Sequence, residues 1–210
     1  MADDTPALVS LALPILDAGP PERADAQRNR EKVLSAAERL FACHGVDNVS
    51  MDAIAAEAGV GKGTLFRRFG DRAGLAQALL QEHTRAVQEA IIRGPAPLGP
   101  GAPPQARLKA MARAQLRLLE AHADLMAAGE AGRPAARFRT GPYAFLRLHT
   151  GLLVREADPA ADWEILTDIL LAPLATESFF YWRFARELAP ERILATFDVL
   201  VDRQLPARGG

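Results

Sequence analysis

Residues 40–75 read LFACHGVDNVSMDAIAAEAGVGKGTLFRRFGDRAGL, and this stretch decides the fold of the N-terminal part of the chain. Gly45 is typical of a helix end, because glycine readily adopts the left-handed conformation that follows a last turn. Ser50 predicts the start of a second helix, since its hydroxyl can accept a hydrogen bond from a free amide of the first turn. Gly59 predicts a sharp turn before a third helix. Together these signals indicate a helix-turn-helix.

The third helix of this motif has one apolar face and one polar face. Leu65 and Phe69 are expected to pack against the first two helices. The side chains then expected to face outward are Lys62, Thr64, Arg67 and Arg68. Such groups can bind phosphates or guanine edges, so the pattern predicts a recognition helix for the major groove of DNA.

Residues 59–64, GVGKGT, also look like the end of a phosphate-binding loop. That loop opens with glycine where this chain has Ala56, follows a strand, and in its commonest form has Ser or Thr where this chain has Gly63. Because an amphipathic helix precedes the segment, DNA binding is the favoured interpretation. A solvated basic helix without a nucleic-acid role is a further alternative.

From Val33 to Leu75 the chain resembles the DNA-binding domain of the TetR family of transcriptional repressors, over about 45 of its 210 residues. The resemblance implies an all-helical homodimer with a three-helix DNA-binding domain and a C-terminal domain that binds a small molecule. It also implies that the effector moves the two DNA-binding domains apart and releases a palindromic operator. The expected function is a ligand-responsive transcriptional regulator, a repressor. The alternative is an architectural or partner-recruiting DNA-binding protein without a small-molecule ligand.

The resemblance also assigns roles to individual residues. Ser50 falls at the N-cap of the second helix, near a phosphate. The residues that fall where family members approach bases are Lys62, Gly63, Arg67 and Arg68. Those that fall where they hold the backbone are Thr64, Phe66 and Arg72. Three positions depart from the family pattern, because Gly61 replaces a common Ser, Phe66 the usual Tyr and Arg68 a common His, and these changes affect the expected operator preference.

Outside this motif, helical periodicity continues and strand signals are almost absent, so the sequence predicts an all-α fold of about nine helices. A fourth helix is expected over about 71–93, another over Pro104–His122 and a shorter apolar stretch over 141–153. Asp158-Pro159 has the form of an N-cap with proline at the first helical position, and predicts a helix of about 29 residues, kinked at Pro173. Pro190 begins the last helix. Residues 94–104 hold eight Gly or Pro among eleven and are expected to form a mobile loop that tolerates substitution.

The expected organisation is an acidic, mobile tail over 1–27, a helix-turn-helix domain over 28–72, and a ligand-binding and dimerisation domain over 73–210. Hydrophobic residues make up 49% and charged residues 24% of the chain, a globular balance, and the formal net charge of −1 leaves room for a local basic patch. The apolar run over 7–16 is too short and too acidic at its start for a membrane span or signal peptide, which favours a cytoplasmic protein with no membrane partner. The single cysteine, Cys43, excludes an internal disulfide and is expected to be a small core residue.

The C-terminal part shows no nucleophile elbow, no metal-ligand pair and no glycine-rich cofactor turn. The sequence therefore predicts no enzyme activity, no cofactor and no metal site. An apolar or aromatic ligand is expected between 138–153 and the helix around Pro173. The residues predicted to bind it are Phe138, Phe145, His149, Trp163 and Phe179. A homodimer is expected through the last two helices, whose apolar positions are Leu166, Ile169, Leu170, Pro173, Leu174, Phe180, Tyr181, Phe184, Ile193, Phe197 and Leu200.

Overall fold

The computed structural model describes residues 24–130 and 136–206, which form nine α-helices and no strand. The helices are α1 (Ala24–His44), α2 (Met51–Ala58), α3 (Lys62–Phe69), α4 (Arg72–Arg93), α5 (Pro104–Glu130), α6 (Gly141–Ala157), α7 (Trp163–Leu171), α8 (Thr176–Phe180) and α9 (Pro190–Gln204). The predicted all-α class is confirmed. The acidic tail expected over 1–27 lies outside the described residues up to position 23, and residues 24–27 already belong to α1. No helix in the described ranges is both long enough and apolar enough to cross a membrane.

The N-terminal helices are fixed by local caps and one apolar core. The Ser50 hydroxyl accepts a hydrogen bond from the Ala53 amide at 3.1 Å. Gly59 adopts the left-handed conformation, with φ of 64°, and ends α2. The Asp71 carboxylate accepts from the Gly74 amide at 2.8 Å and begins α4. The buried side chains that hold these helices together include Leu34, Ala37, Ile54, Leu65, Leu75 and Leu79.

The C-terminal domain is built around α5, which contacts α4, α6, α8 and α9. The helix end predicted at His122 corresponds to a break in α5: His122 has a non-helical backbone, with φ of −140° and ψ of 16°, and a further helical segment follows this kink to Glu130. Leu108 and Met111 on α5 are fully buried. They pack in a core with Leu153 and Leu170.

The single helix expected from Asp158 to Leu188 is not formed. The Asp158 carboxylate accepts from the Ala160 amide at 3.1 Å, a local turn, and α7 begins at Trp163 with Asp162 as its cap. Pro173 lies in a 3-10 turn that separates α7 from α8. Proline has no amide hydrogen and its ring collides with the preceding turn, so it breaks the helix here rather than bending it.

Residues 94–103 connect α4 and α5, and part of this connection packs against the protein. Leu98 packs against the C-terminal core, and Gly99 is buried. A Cβ atom at Gly99 would lie 1.8 Å from the Gly94 carbonyl oxygen, and one at Gly94 would lie 2.5 Å from that of Ala90. The expected tolerance to substitution is therefore wrong at both glycines, because backbone atoms occupy the space that a side chain needs.

Several large apolar side chains of the C-terminal domain remain exposed. Ile169 is 50% exposed, Tyr181 53% and Phe184 64%. Other residues expected at a dimer interface are instead buried within the single protomer: Leu170, Leu174, Ile193 and Phe197. The exposed apolar face is thus smaller than the sequence predicted.

Candidate nucleic-acid interface and ligand cavity

The third helix presents a nearly continuous exposed face. Its inner side is fixed by Leu65, which is 1% exposed and packs in the N-terminal core. The side chains and backbone on the exposed face belong to Lys62, Gly63, Thr64, Phe66 and Arg67. A Cβ atom at Gly63 would meet nothing within 4 Å, so packing does not require glycine there. A bare backbone at this point allows close approach of a large ligand such as DNA.

Lys62 and Ser50 already have partners. The Lys62 ammonium lies 2.5 Å from the Asp52 carboxylate of α2, and both side chains are more than half exposed. The Ser50 hydroxyl oxygen is used as the cap of α2. Because an exposed ion pair is weak, Lys62 can exchange Asp52 for a phosphate at little cost.

Arg68 does not take the outward orientation expected for it. It is half-buried, and its guanidinium Nη1 donates to the Ala26 carbonyl oxygen of α1 at 3.3 Å. Arg68 follows the buried Leu65 by three positions, which places it on the inner flank of α3 rather than on its outer face. Arg67 is exposed and forms no hydrogen bond or ion pair within residues 24–130 and 136–206. Arg72, the first residue of α4, is half-buried beside this face.

Residues 33–79 match the model of a family described as bacterial regulatory proteins, tetR family. The match covers 47 of the 210 residues and assigns this segment to the tetR family. The matched range runs from α1 into α4 and includes every position at which DNA contact was predicted, from Ser50 to Arg72. The helix-turn-helix of this structure is therefore the tetR DNA-binding domain.

Curated relatives align with only a part of this chain. A helix-turn-helix-type transcriptional regulator from Staphylococcus aureus (strain USA300) is 44% identical over 59 residues, which are 28% of this chain and 32% of the relative. The alignment thus spans about a third of the length of the curated relatives that the chain matches.

Solved structures share the fold over nearly the whole chain. A TetR-family regulator from Rhodococcus sp. has a TM-score of 0.58 at 18% identity, covering 85% of this chain and 99% of that one. RolR, solved in complex with resorcinol, has a TM-score of 0.53 at 20% identity, covering 89% of this chain and 92% of that one. These likenesses show that the C-terminal helices also follow the architecture of tetR regulators.

The residues predicted to bind a ligand do not form one site. Phe138 is 50% exposed and touches Tyr143 edge-to-face. Phe145 stacks against the buried His149 at a centroid distance of 6.5 Å. Trp163 lies against α6 at Gly151, where a Cβ atom would come within 3.2 Å of its ring. Phe179 is 2% exposed and fills a core between α5 and α8, with Leu116, Leu119 and Ala123.

A cavity of about 370 Å³ opens between α4, α5, α6 and the α7–α8 connection. It is lined by Gln77, Leu80, Gln81, Thr84, Val87, Gln88, Gln115, Leu118, Leu125, Met126, Thr140, Pro142, Tyr143, Leu146, Leu171, Leu174, Ala175 and Thr176. None of the five predicted ligand residues is among them, because Tyr143 and Leu146 occupy the face of α6 that meets the cavity whereas Phe145 and His149 occupy another. A sequence signal for this site was present in the polar residues that recur every three to four positions along α4 at 77, 81, 84 and 88.

Polar contacts join the tetR domain to the helix that lines the cavity. The His83 ring of α4 contacts the Glu38 carboxylate of α1 through Nε2 at 3.2 Å. Its Nδ1 lies 2.8 Å from Nε2 of His122, the residue at the kink of α5. Burial, and to a smaller extent His83, lower the pKa of His122 to about 4, so His122 is neutral near pH 7. Within the described ranges no three His, Cys, Asp or Glu side chains gather as metal ligands.

Proposed function

We propose that the protein is a ligand-responsive transcriptional repressor of the cytoplasm, which binds a palindromic operator as a homodimer and is released by a small-molecule effector. The observation that carries the proposal is the exposed face of α3 within a tetR domain. Lys62, Thr64 and Arg72 supply sequence-independent affinity through phosphates. Phe66, which is 46% exposed, packs on the sugar-phosphate backbone without donating a hydrogen bond.

Base discrimination falls first to Arg67, because its guanidinium is exposed and without a partner in the described chain. Arg68 contributes only after it leaves the Ala26 carbonyl, so its contact is the more costly of the two. The test is selection of bound duplexes from a random pool, followed by titration of the selected operator. Arg67→Ala should reduce the affinity by about 1–3 kcal/mol for the preferred base and relax preference at that position. Arg203→Ala, on the exposed side of α9, is the matched control and should bind as the parent protein does.

The homodimer is proposed to use the exposed apolar side chains of α7 and of the segment that follows α8. Contiguous exposed apolar surface is uncommon on a soluble monomer and favours association. Pairing of α7 and residues 181–184 with the same elements of a second protomer would bury these side chains. A monomer in sedimentation at micromolar concentration would contradict the proposal.

The effector-binding part of the proposal rests on the cavity. A volume of about 370 Å³ lies in the range of small-molecule sites, whereas an architectural DNA-binding protein has no use for such a space. RolR, a structural neighbour, was solved with resorcinol, which supports a small-molecule effector for this chain also. The test is titration of candidate compounds against the operator complex. Failure of every compound to release DNA would favour the architectural alternative.

A further inference from the structure

The cavity wall selects ligands by charge. Among the described residues, its lining contains no Asp, Glu, Lys, Arg or His. An ion that enters such a site loses its hydration and gains no counterion, which is strongly unfavourable. An uncharged molecule of the same shape does not bear this cost.

The polar part of the wall is dominated by glutamine amides. Gln77, Gln81 and Gln88 lie on one face of α4, and Gln115 faces them from α5. Gln115 is only 8% exposed. In the parts of the chain that the structure describes, none of these four amides has a hydrogen-bond partner. Each amide can both donate and accept, so the wall offers paired hydrogen bonds to a neutral polar group.

Two of the hydroxyl groups at the same wall are already engaged. Thr84 donates to the Leu80 carbonyl oxygen at 2.8 Å, and the Tyr143 hydroxyl donates to Asp168 at 3.2 Å. The four glutamines are the side-chain amides available to a ligand. The rest of the lining is mainly apolar and includes Leu118, Leu125, Met126, Leu146, Leu171 and Leu174. A molecule that fills this space must therefore be amphipathic.

We infer that the cavity binds an uncharged amphipathic small molecule whose hydroxyl, carbonyl or amide groups pair with Gln88 and Gln115, and that it rejects ions of the same size. The inference rests on the proposed effector-responsive function and names the chemical class of the effector. Gln88 belongs to α4, the helix that leads into the DNA-binding domain. A hydrogen bond between the ligand and the Gln88 amide would therefore both hold the ligand and act directly on α4.

The test uses the full-length protein without DNA and matched probe pairs that differ in charge, octanamide with octanoate and benzamide with benzoate. Thermal shift and calorimetric titration near neutral pH measure binding. We expect the amide of at least one pair to raise the melting temperature and to bind at least about tenfold more tightly than its carboxylate. Equal or tighter binding of the carboxylates, or no binding by either amide at low millimolar concentration, would overturn the inference.

Two substitutions place the binding in the cavity. Gln115→Leu and Gln88→Leu remove the amide but keep a similar side-chain volume. Each should reduce the affinity for the amide probe by about fivefold, the effect of one neutral hydrogen bond. Gln204→Leu, exposed near the end of α9, is the matched control and should leave probe affinity unchanged. Unchanged probe affinity in both cavity variants would refute the site. Because these measurements omit DNA, they can fail while operator binding persists, and loss of operator binding would instead refute the proposed function.

Discussion

Removal of the His149 imidazole should make the protein more resistant to acid. His149 is 8% exposed, and its Nε2 has no hydrogen-bond partner within the described residues. Burial, followed by the charge of Arg107, lowers the pKa of His149 from 6.5 to about 4. Folding must therefore hold the ring neutral at pH values where the unfolded chain would protonate it.

The sign and size of the effect follow from this difference. Since the unfolded state binds the proton more readily, stability is lost as pH falls below about 6.5 and continues to fall until about pH 4. At pH 5 the unfolded histidine is almost fully protonated while the folded one is mostly neutral, which costs about 2 kcal/mol relative to pH 8. A side chain at this position that does not titrate avoids the cost.

The assay is urea unfolding of the parent protein and of His149→Leu at pH 8 and pH 5, at one protein concentration. On going from pH 8 to pH 5, the free energy of unfolding of His149→Leu should rise by about 2 kcal/mol relative to that of the parent protein. His149→Gln is the control for packing: its stability at pH 8 can differ from that of His149→Leu, but the gain on acidification should be the same. Parallel loss of stability in the parent and both variants would refute the assignment of acid sensitivity to this ring.

Three further predictions concern DNA affinity, the α4–α5 connection and the dimer. Asp52→Asn frees Lys62 from its ion pair and removes a negative charge from the DNA-binding face, so operator affinity in an anisotropy titration should increase; a decrease would show that the pair positions Lys62 productively. Gly99→Ala should destabilise the protein by more than about 1 kcal/mol because the Cβ atom collides with backbone, whereas Gly63→Ala, an open helical site, should stabilise it by about 0.5–1 kcal/mol. Equal melting temperatures for these two variants would contradict the packing argument. Phe184→Ser should shift the sedimenting species toward the monomer, and an unchanged dimer would place the interface on another face.

The N-terminal helices were predictable because local chemistry fixes their ends. Ser50 and Asp71 each accept a hydrogen bond from an amide in the first turn of a helix, and Gly59 adopts the left-handed conformation that ends α2. These local preferences are enough to locate the turn from the sequence. Cys43 was wrongly expected in the core. Cys43 is exposed because the C-terminal end of α1 extends beyond the N-terminal core, and Phe41, two residues earlier, is already only half-buried.

The C-terminal domain was less predictable, because its determining features are tertiary. Asp158-Pro159 has the pattern of a helix start, but its carboxylate is used in a local turn and the next helix begins after Asp162. Arg68 was expected to face outward on composition, although its position three residues after Leu65 indicates an inner flank. The cavity could not be located from aromatic residues, since an empty volume depends on how helices distant in sequence fail to fill the space between them.

The close contact between Gly94 and Gly99 has a mechanical consequence for α4. The helix has 22 residues and is about 33 Å long, and its C-terminal end packs closely at this contact, so we expect α4 to tilt about that end. A tilt of about 5° at that end displaces the far end, at Arg72, by about 3 Å over such a length. Arg30 and Glu38 of α1 are tied to α4 through Glu82 and His83, so α1 follows the same displacement. We therefore expect a ligand that displaces α4 by less than about 1 Å at Gln88, close to the packed end, to move Arg72 further than a ligand that displaces α4 by the same distance at Gln77.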